Sequence, residues 1–241
     1  MNLIVSFINR LAPYDLYERH SVVSQLLQKA LGSHLQQTVL DVGGRKELLE
    51  RFLPYPTISI NPDGTGHLLG DGGQLPFADS SFDAVVNLDT LEHLPSKTRL
   101  PFIQECLRVS KKIVVVAAPF GSSEHIQLEK TLNELYRQAL GHPHRYLSEH
   151  VAFGLPSSEQ LNQFAEALRP FPTQFFYAGD FTWQGHSFAR AVHAHQQPRL
   201  LAALTNLYNQ FSGMALFHPI ALTTAPTPRT NRFYMVINKV P

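Results

Sequence analysis

The chain has 241 residues, a formal net charge of +1 and no long block of one sign. That length allows one large α/β domain or two small ones, and the balanced charge gives no electrostatic footprint for nucleic acid. A single cysteine, Cys106, excludes an internal disulfide framework and suits a reducing, cytoplasmic compartment, and the longest purely apolar run, Ile113–Ala118, is far too short to span a bilayer.

Met1–Leu16 starts apolar, but Asn9 and Arg10 interrupt it and no small-residue cleavage pattern follows, so no signal peptide is expected. Residues 3–31 read as helical: Leu26, Leu27, Ala30 and Leu31 share a face, and Gly32 suits a C-cap. This segment would lie as a cap over the core. Strands and helices then alternate. Val39–Val42 reads as the first strand, Lys46–Leu53 as the first helix and Thr57–Ile60 as the second strand. A short third strand is expected near His67–Leu69 and a fourth at Phe82–Leu88. Thr98–Val109 reads as a helix with Pro101 in its first turn, where a missing N–H costs little. Ile113–Ala117 is a fifth strand, apolar throughout as a strand buried on both faces should be. Such alternation implies parallel strands joined by right-handed helical crossovers.

A longer connection, Pro119–Pro156, holds one amphipathic helix bearing Leu128, Leu132, Leu135, Tyr136 and Ala139, which Gly141 ends. The histidine-rich stretch HPHRYLSEHVAFGLP follows. Ser157, with Gln160 three residues on, has the capping-box spacing for the next helix. Gln174–Ala178 is a sixth strand, helices fill roughly 186–212, and Thr223–Thr230 is a loop. Arg232–Asn238 is a seventh strand, inserted antiparallel after its long excursion.

Chemistry concentrates in two places. Thr38–Glu50, TVLDVGGRKELLE, reads as strand, tight turn and helix, with Gly43 and Gly44 letting a bound group approach the backbone and the new helix aiming its free N–H groups there. Gly70–Leu94, GDGGQLPFADSSFDAVVNLDTLEHL, puts an acid before LPF, opens a strand with SFD and closes on D-x-LEHL. With VLDVGG upstream, it resembles the class I S-adenosylmethionine-dependent methyltransferases, and within them the methyltransferase-11 type group. The likeness covers about residues 37–118, the rest agreeing in element order. The third glycine of a nicotinamide fingerprint is absent, which sets an oxidoreductase aside.

The resemblance implies a doubly wound, mostly parallel seven-stranded sheet in a single domain over 1–241. Residues 1–36 would form the helical cap, 37–118 the cofactor half, 119–156 a lid insertion and 157–241 the C-terminal half. It implies S-adenosylmethionine as cofactor. Asp41 would hold the turn or attract the cofactor's cationic end, with Gly43 and Gly44 admitting its backbone-like portion. Asp71 would accept from the adenine amino group and Gly72 would offer an N–H. Asn87 and Asp89 would end the fourth strand at the ligand-binding edge of the sheet. The family's ribose-chelating carboxylate has no counterpart: Ser59 or Asn61 stands there, depending on register.

Methyl transfer needs positioning, plus a base where the acceptor is a hydroxyl. His93 and His150 are the expected catalytic residues, His93 serving equally well as a helix-cap residue; His125, His144 and Glu149 are further candidates. Phe153 would join His150 over the acceptor. The histidine spacing matches no strong metal template, so no metal is expected. The expected acceptor is a small or glycan-like molecule methylated at oxygen, with no nucleic-acid partner and no membrane span. The alternative is a non-catalytic methyltransferase-fold module serving as a partner or scaffold subunit.

Overall fold

A computed structural model describes residues 8–32 and 36–239. The sheet has seven strands: β1 Val39–Val42, β2 Thr57–Asn61, β3 Leu68–Leu69, β4 Phe82–Leu88, β5 Ser110–Pro119, β6 Thr173–Asp180 and β7 Thr230–Asn238. Their spatial order is β3-β2-β1-β4-β5-β7-β6. The first five run parallel, and β7 lies antiparallel between β5 and β6. The doubly wound sheet and the inverted seventh strand agree with the sequence reading.

The strand alternation builds two cores. Leu40, Val42, Val85, Val114 and Val116 face α2 (Ser96–Val109) and α5 (Ser158–Ala167), packing with Phe102, Ile103, Cys106, Leu161 and Phe164. Val39, Ala84, Val86, Ile113 and Val115 face the opposite layer, against Val22, Val23, Leu26 and Leu27 of α1 (Tyr14–Leu31). Burying each such side chain stabilises by roughly 1.5–3 kcal/mol, so the central strands form a rigid platform.

Several elements depart from expectation. The first part of the expected helix over 3–31 lies outside the described residues; residues 8–10 are helical, and α1 starts anew after Pro13. Its end is as expected, with Gly32 donating to Gln28 O. Lys46–Leu53 is not a helix. Glu47 takes a left-handed φ of 64°, and only a 3-10 turn, Leu49–Arg51, forms. The glycine turn therefore has no helix N-terminus behind it. Pro101 falls in the second turn of α2, which begins at Ser96 rather than Thr98. Pro119–Pro156 holds two helices, α3 (Ser123–Leu140) and α4 (Arg145–Phe153). Gly141 ends α3 in the left-handed region (φ 82°), and Ser157 caps α5 by accepting from Gln160 N–H. The last helices are α6 (Phe181–Ala194) and α7 (Arg199–Ser212). No helix among the described residues is long and apolar enough to cross a membrane.

Candidate active site

The carboxyl ends of β1, β2 and β4 open into a cavity of about 1390 Å³, walled by α1, α3, α4 and α6. This is the edge at which open α/β sheets bind ligands. Asp41, Gly43, Gly44, Asn61, Asp89, His93 and His150 all line it.

Asp41 ends up here because β1 delivers it to the sheet edge beside Ser59 and Val86. It is only 3% exposed, and its Oδ1 has no hydrogen-bond partner among the described residues. Burial pushes its carboxyl up to about 7, against the pull of Arg19. Gly43 sits at φ +83°, and a Cβ on it would meet Thr90 Oγ1 at 2.5 Å. Asn61 donates to Gly43 O at 2.8 Å and accepts from Asp63 N–H at 3.1 Å, so its amide holds the turn. The room at both glycines is filled by protein, Thr90 at Gly43 and Asp41 itself at Gly44. The buried carboxylate without a partner at the cavity edge fits the cationic amino-acid end of S-adenosylmethionine.

Asp89 follows β4 in a left-handed conformation, φ 50°. Arg19 reaches it at 2.5 Å, and Arg232 does so through two bonds, Nε to Oδ1 at 3.1 Å and Nη2 to Oδ2 at 3.0 Å. Arg232 also bonds Asp15 at 3.0 Å and Glu18 at 3.2 Å, and Tyr234 donates to Glu18. This network locks α1, the end of β4 and β7 into one wall of the cavity. Periodicity could not reveal it, because a charge inside a strand such as Arg232 is only a weak cue.

Across the cavity, a 3-10 turn at Leu91–His93 presents Glu92 and His93, and α4 presents His150. Glu149 Oε2 lies 2.7 Å from His93 Nδ1, in ion-pair range but off the line of a good hydrogen bond. His150 Nδ1 bonds Glu129 of α3 at 3.0 Å, and the two imidazole centroids are 4.9 Å apart. Burial, and then His150, lower the pKa of His93; burial, and then Asp89, raise that of the buried Glu92. His125 also lines the cavity, with Nδ1 2.9 Å from Phe120 O and its ring stacked on Phe181.

Arg99 holds this side together. The side chain is buried and donates to Leu94 O at 3.1 Å, to Gln160 Oε1 at 2.6 Å, and to the carbonyls of Phe153 and Gly154. It thereby ties the Glu92–His93 turn to the end of α4.

Other expected residues do not line the cavity. Ser59 is buried and bonds His67, with Oγ 2.8 Å from Nδ1. Asp71 is exposed and accepts from Gly73 N–H at 2.8 Å. A Cβ on Gly72 would strike Phe102 and Val42, so its smallness serves packing. Asn87 is fully buried and donates to Val42 O at 2.7 Å and Thr90 Oγ1 at 2.8 Å. His144 caps α4 by accepting from Leu147 N–H, and Phe153 is partly exposed. The sequence reading missed Arg232, Glu129 and Arg99, and takes Arg19 with the other polar residues of the cap as a surface residue rather than a ligand.

Residues 45–118 match the model of a family described as a methyltransferase domain. No curated protein matches the chain. Solved structures resemble its fold. The YcgJ protein from Bacillus subtilis is 16% identical, at a TM-score of 0.51, with 92% of this chain and 99% of that one covered. A protein from an antibiotic biosynthesis pathway of Anabaena variabilis is 13% identical, at 0.54, with 94% and 98% covered. The plantazolicin methyltransferase BpumL, solved with a triazolic desmethylPZN analogue and SAH, is 10% identical, at 0.53, with 98% and 90% covered. At these identities the likeness is one of fold.

Proposed function

We propose that this chain, which carries a methyltransferase domain over residues 45–118 within a class I S-adenosylmethionine-dependent methyltransferase fold, methylates a hydroxyl of a small or glycan-like acceptor. The observation that carries this reading is the pairing, within one cavity, of the unpartnered Asp41 carboxylate with the His93 and His150 cluster opposite. When bound, S-adenosylmethionine supplies an activated methyl group. Asp41 holds the cofactor's ammonium, and Gly43 and Gly44 line the cavity beside it. His93 and His150 face the acceptor, and one of the two imidazoles takes its hydroxyl proton, each having a carboxylate behind its Nδ1. The polar wall of Glu92, Glu129 and the histidines suits an acceptor rich in hydroxyls. In this reading α3 and α4 act as a lid over a single domain, and the protein works in the cytoplasm.

Calorimetry with S-adenosylmethionine and its demethylated product tests the cofactor half. Mass spectrometry of hydroxylated metabolites and oligosaccharides incubated with the protein tests the acceptor half. His150→Ala should lower transfer by about tenfold or more and leave cofactor affinity within about twofold, because only the acceptor side is altered. No heat and no thermal shift at millimolar cofactor would remove the enzyme reading.

One observation favours the second reading, a non-catalytic module. The ribose carboxylate is missing, and the amide of Asn61 is already occupied with the glycine turn. Failure to bind cofactor in a stably folded protein would select that reading.

A further inference from the structure

We propose that Glu92, His93 and His150 form a site for one divalent first-row transition-metal cation, of which Zn²⁺ is the first to test. One ligand atom from each residue lies within 4.8 Å of the other two. The donor set is two imidazole nitrogens and one carboxylate, which suits zinc and its neighbours; magnesium and calcium prefer oxygen donors throughout.

Three further observations point to a ligand. Glu92 is 1% exposed, and its Oε2 has no hydrogen-bond partner among the described residues. A buried carboxylate without a partner is costly unless it is paired or coordinates a cation. The His150 Nε2 is likewise buried and unpartnered, and its side chain is 10% exposed. His93 Nε2 stands 3.9 Å from Glu92 Oε1. On the far side of each ring a carboxylate faces Nδ1: Glu129 bonds that of His150, and Glu149 lies against that of His93. Metal-bound histidines have this arrangement, in which a carboxylate behind the ring orients it and makes it a better donor.

The scaffold also fits. Glu92 and His93 are adjacent on a short 3-10 turn, and His150 comes from α4, which Arg99 ties to that turn. Around an ion with bonds near 2.1 Å, neighbouring ligands stand about 3–3.5 Å apart. A pair at the full 4.8 Å would close by about 1.5 Å, within the reach of side-chain rotation. Three protein ligands leave a position open, and all three residues line the main cavity. The binding site stands independently of the methyl-transfer reading. The further role of the open position, taking the acceptor oxygen, rests on that reading, and there His93 and His150 would hold the cation rather than the proton.

The test uses untagged, full-length protein stripped with a chelator. Co²⁺ absorption spectra and Zn²⁺ competition against a chromophoric chelator should give one equivalent bound with a Kd below about 1 μM. Glu92→Gln, which keeps the shape of the buried side chain, and His150→Ala should weaken binding by about a hundredfold or more, and Glu129→Gln by about 10–100-fold. His193→Ala, at an exposed histidine away from the cluster, should leave it unchanged. Should the variants fold poorly, X-ray absorption of the wild-type zinc protein decides: two imidazoles per zinc support the site, and any other count overturns it. Sub-stoichiometric binding, or affinity unchanged in Glu92→Gln, also overturns it. Calorimetry with S-adenosylmethionine on the metal-free protein is read separately. Absent cofactor heat with intact zinc binding would end the methyl-transfer reading and leave the metal site standing.

Discussion

Asp41 lays its carboxylate against the backbone of Gly44, so closely that a Cβ at residue 44 would stand 1.8 Å from Oδ2. Contact, not backbone conformation, makes glycine necessary there, whereas its neighbour Gly43 is needed for its positive φ as well. Gly44→Ala should push the carboxylate out of its buried position. The expected cost is roughly 1–3 kcal/mol of stability, as for other overpacked sites. Cofactor affinity should fall by about tenfold, as for one lost charged contact. Thermal unfolding and calorimetry check the two effects, and a variant unchanged in both would show that Asp41 has no fixed place in the site.

The same carboxylate makes the site sensitive to pH. Burial lifts Asp41 to about 7. A group raised in the folded state contributes stability that is fully present below its unfolded pKa, about 3.9, and is lost as pH rises through the folded value. The cofactor-free protein should therefore lose stability between about pH 4 and 7. Glu18, also raised to about 7 by burial, follows the same trend. The difference between wild type and Asp41→Asn isolates Asp41. Cofactor affinity should run the opposite way, because the cofactor's ammonium needs the ionised carboxylate: it should rise up to about pH 7 and fall again above about pH 8, where an α-ammonium loses its proton. Asp41→Asn should flatten that profile, and a profile of the same shape in the variant would refute the assignment.

How much of this could be read beforehand follows from the range of each interaction. β1, β4 and β5 were legible because strands buried on both faces are apolar throughout, and β7 because its insertion follows a long excursion. The histidines at 93 and 150 stood out as residue types, and the cavity brings them together. The first helix was misread because leucine spacing in Lys46–Leu53 says nothing of the left-handed turn at Glu47. Glu129 lies between Leu128 and Leu132 on α3, and its partner His150 is 21 residues away; until α4 packs, it resembles any helix carboxylate. Arg232 meets Glu18 across 214 residues. No local pattern encodes a pairing at that distance.

That long-range pairing carries its own prediction. Arg232 is 2% exposed and answers Asp15, Glu18 and Asp89 together. Arg232→Met keeps the apolar bulk but leaves the buried Glu18 without a cation, while Asp15 and Asp89 keep Arg19. Removing one partner of a buried ion pair costs roughly 3–5 kcal/mol. Arg19→Met, at a more exposed pair, should cost about 1 kcal/mol or less. Denaturant unfolding separates the two. Equal losses would mean that α1 is held by its apolar face alone.

The last prediction concerns Arg99, which touches neither end of the cavity yet sets the distance across one side of it. Its guanidinium is buried and donates to four groups on three segments: Leu94 after the 3-10 turn, Phe153 and Gly154 at the end of α4, and Gln160 on α5. Arginine can do this because its donors are fixed in a planar fork. Lysine has a compact ammonium and cannot reach the same set. Arg99→Lys should therefore cost roughly 1.5–3 kcal/mol of stability, the worth of charged hydrogen bonds lost in a buried setting. It should also loosen His150 relative to His93, whose rings now lie 4.9 Å apart. Methyl transfer should fall by about tenfold through kcat, since positioning is lost, while S-adenosylmethionine affinity stays within about twofold. That split distinguishes positioning from general destabilisation, which at a temperature well below unfolding would leave both unchanged. A fall in cofactor affinity equal to the fall in transfer would show that Arg99 supports the whole cavity rather than the histidine side.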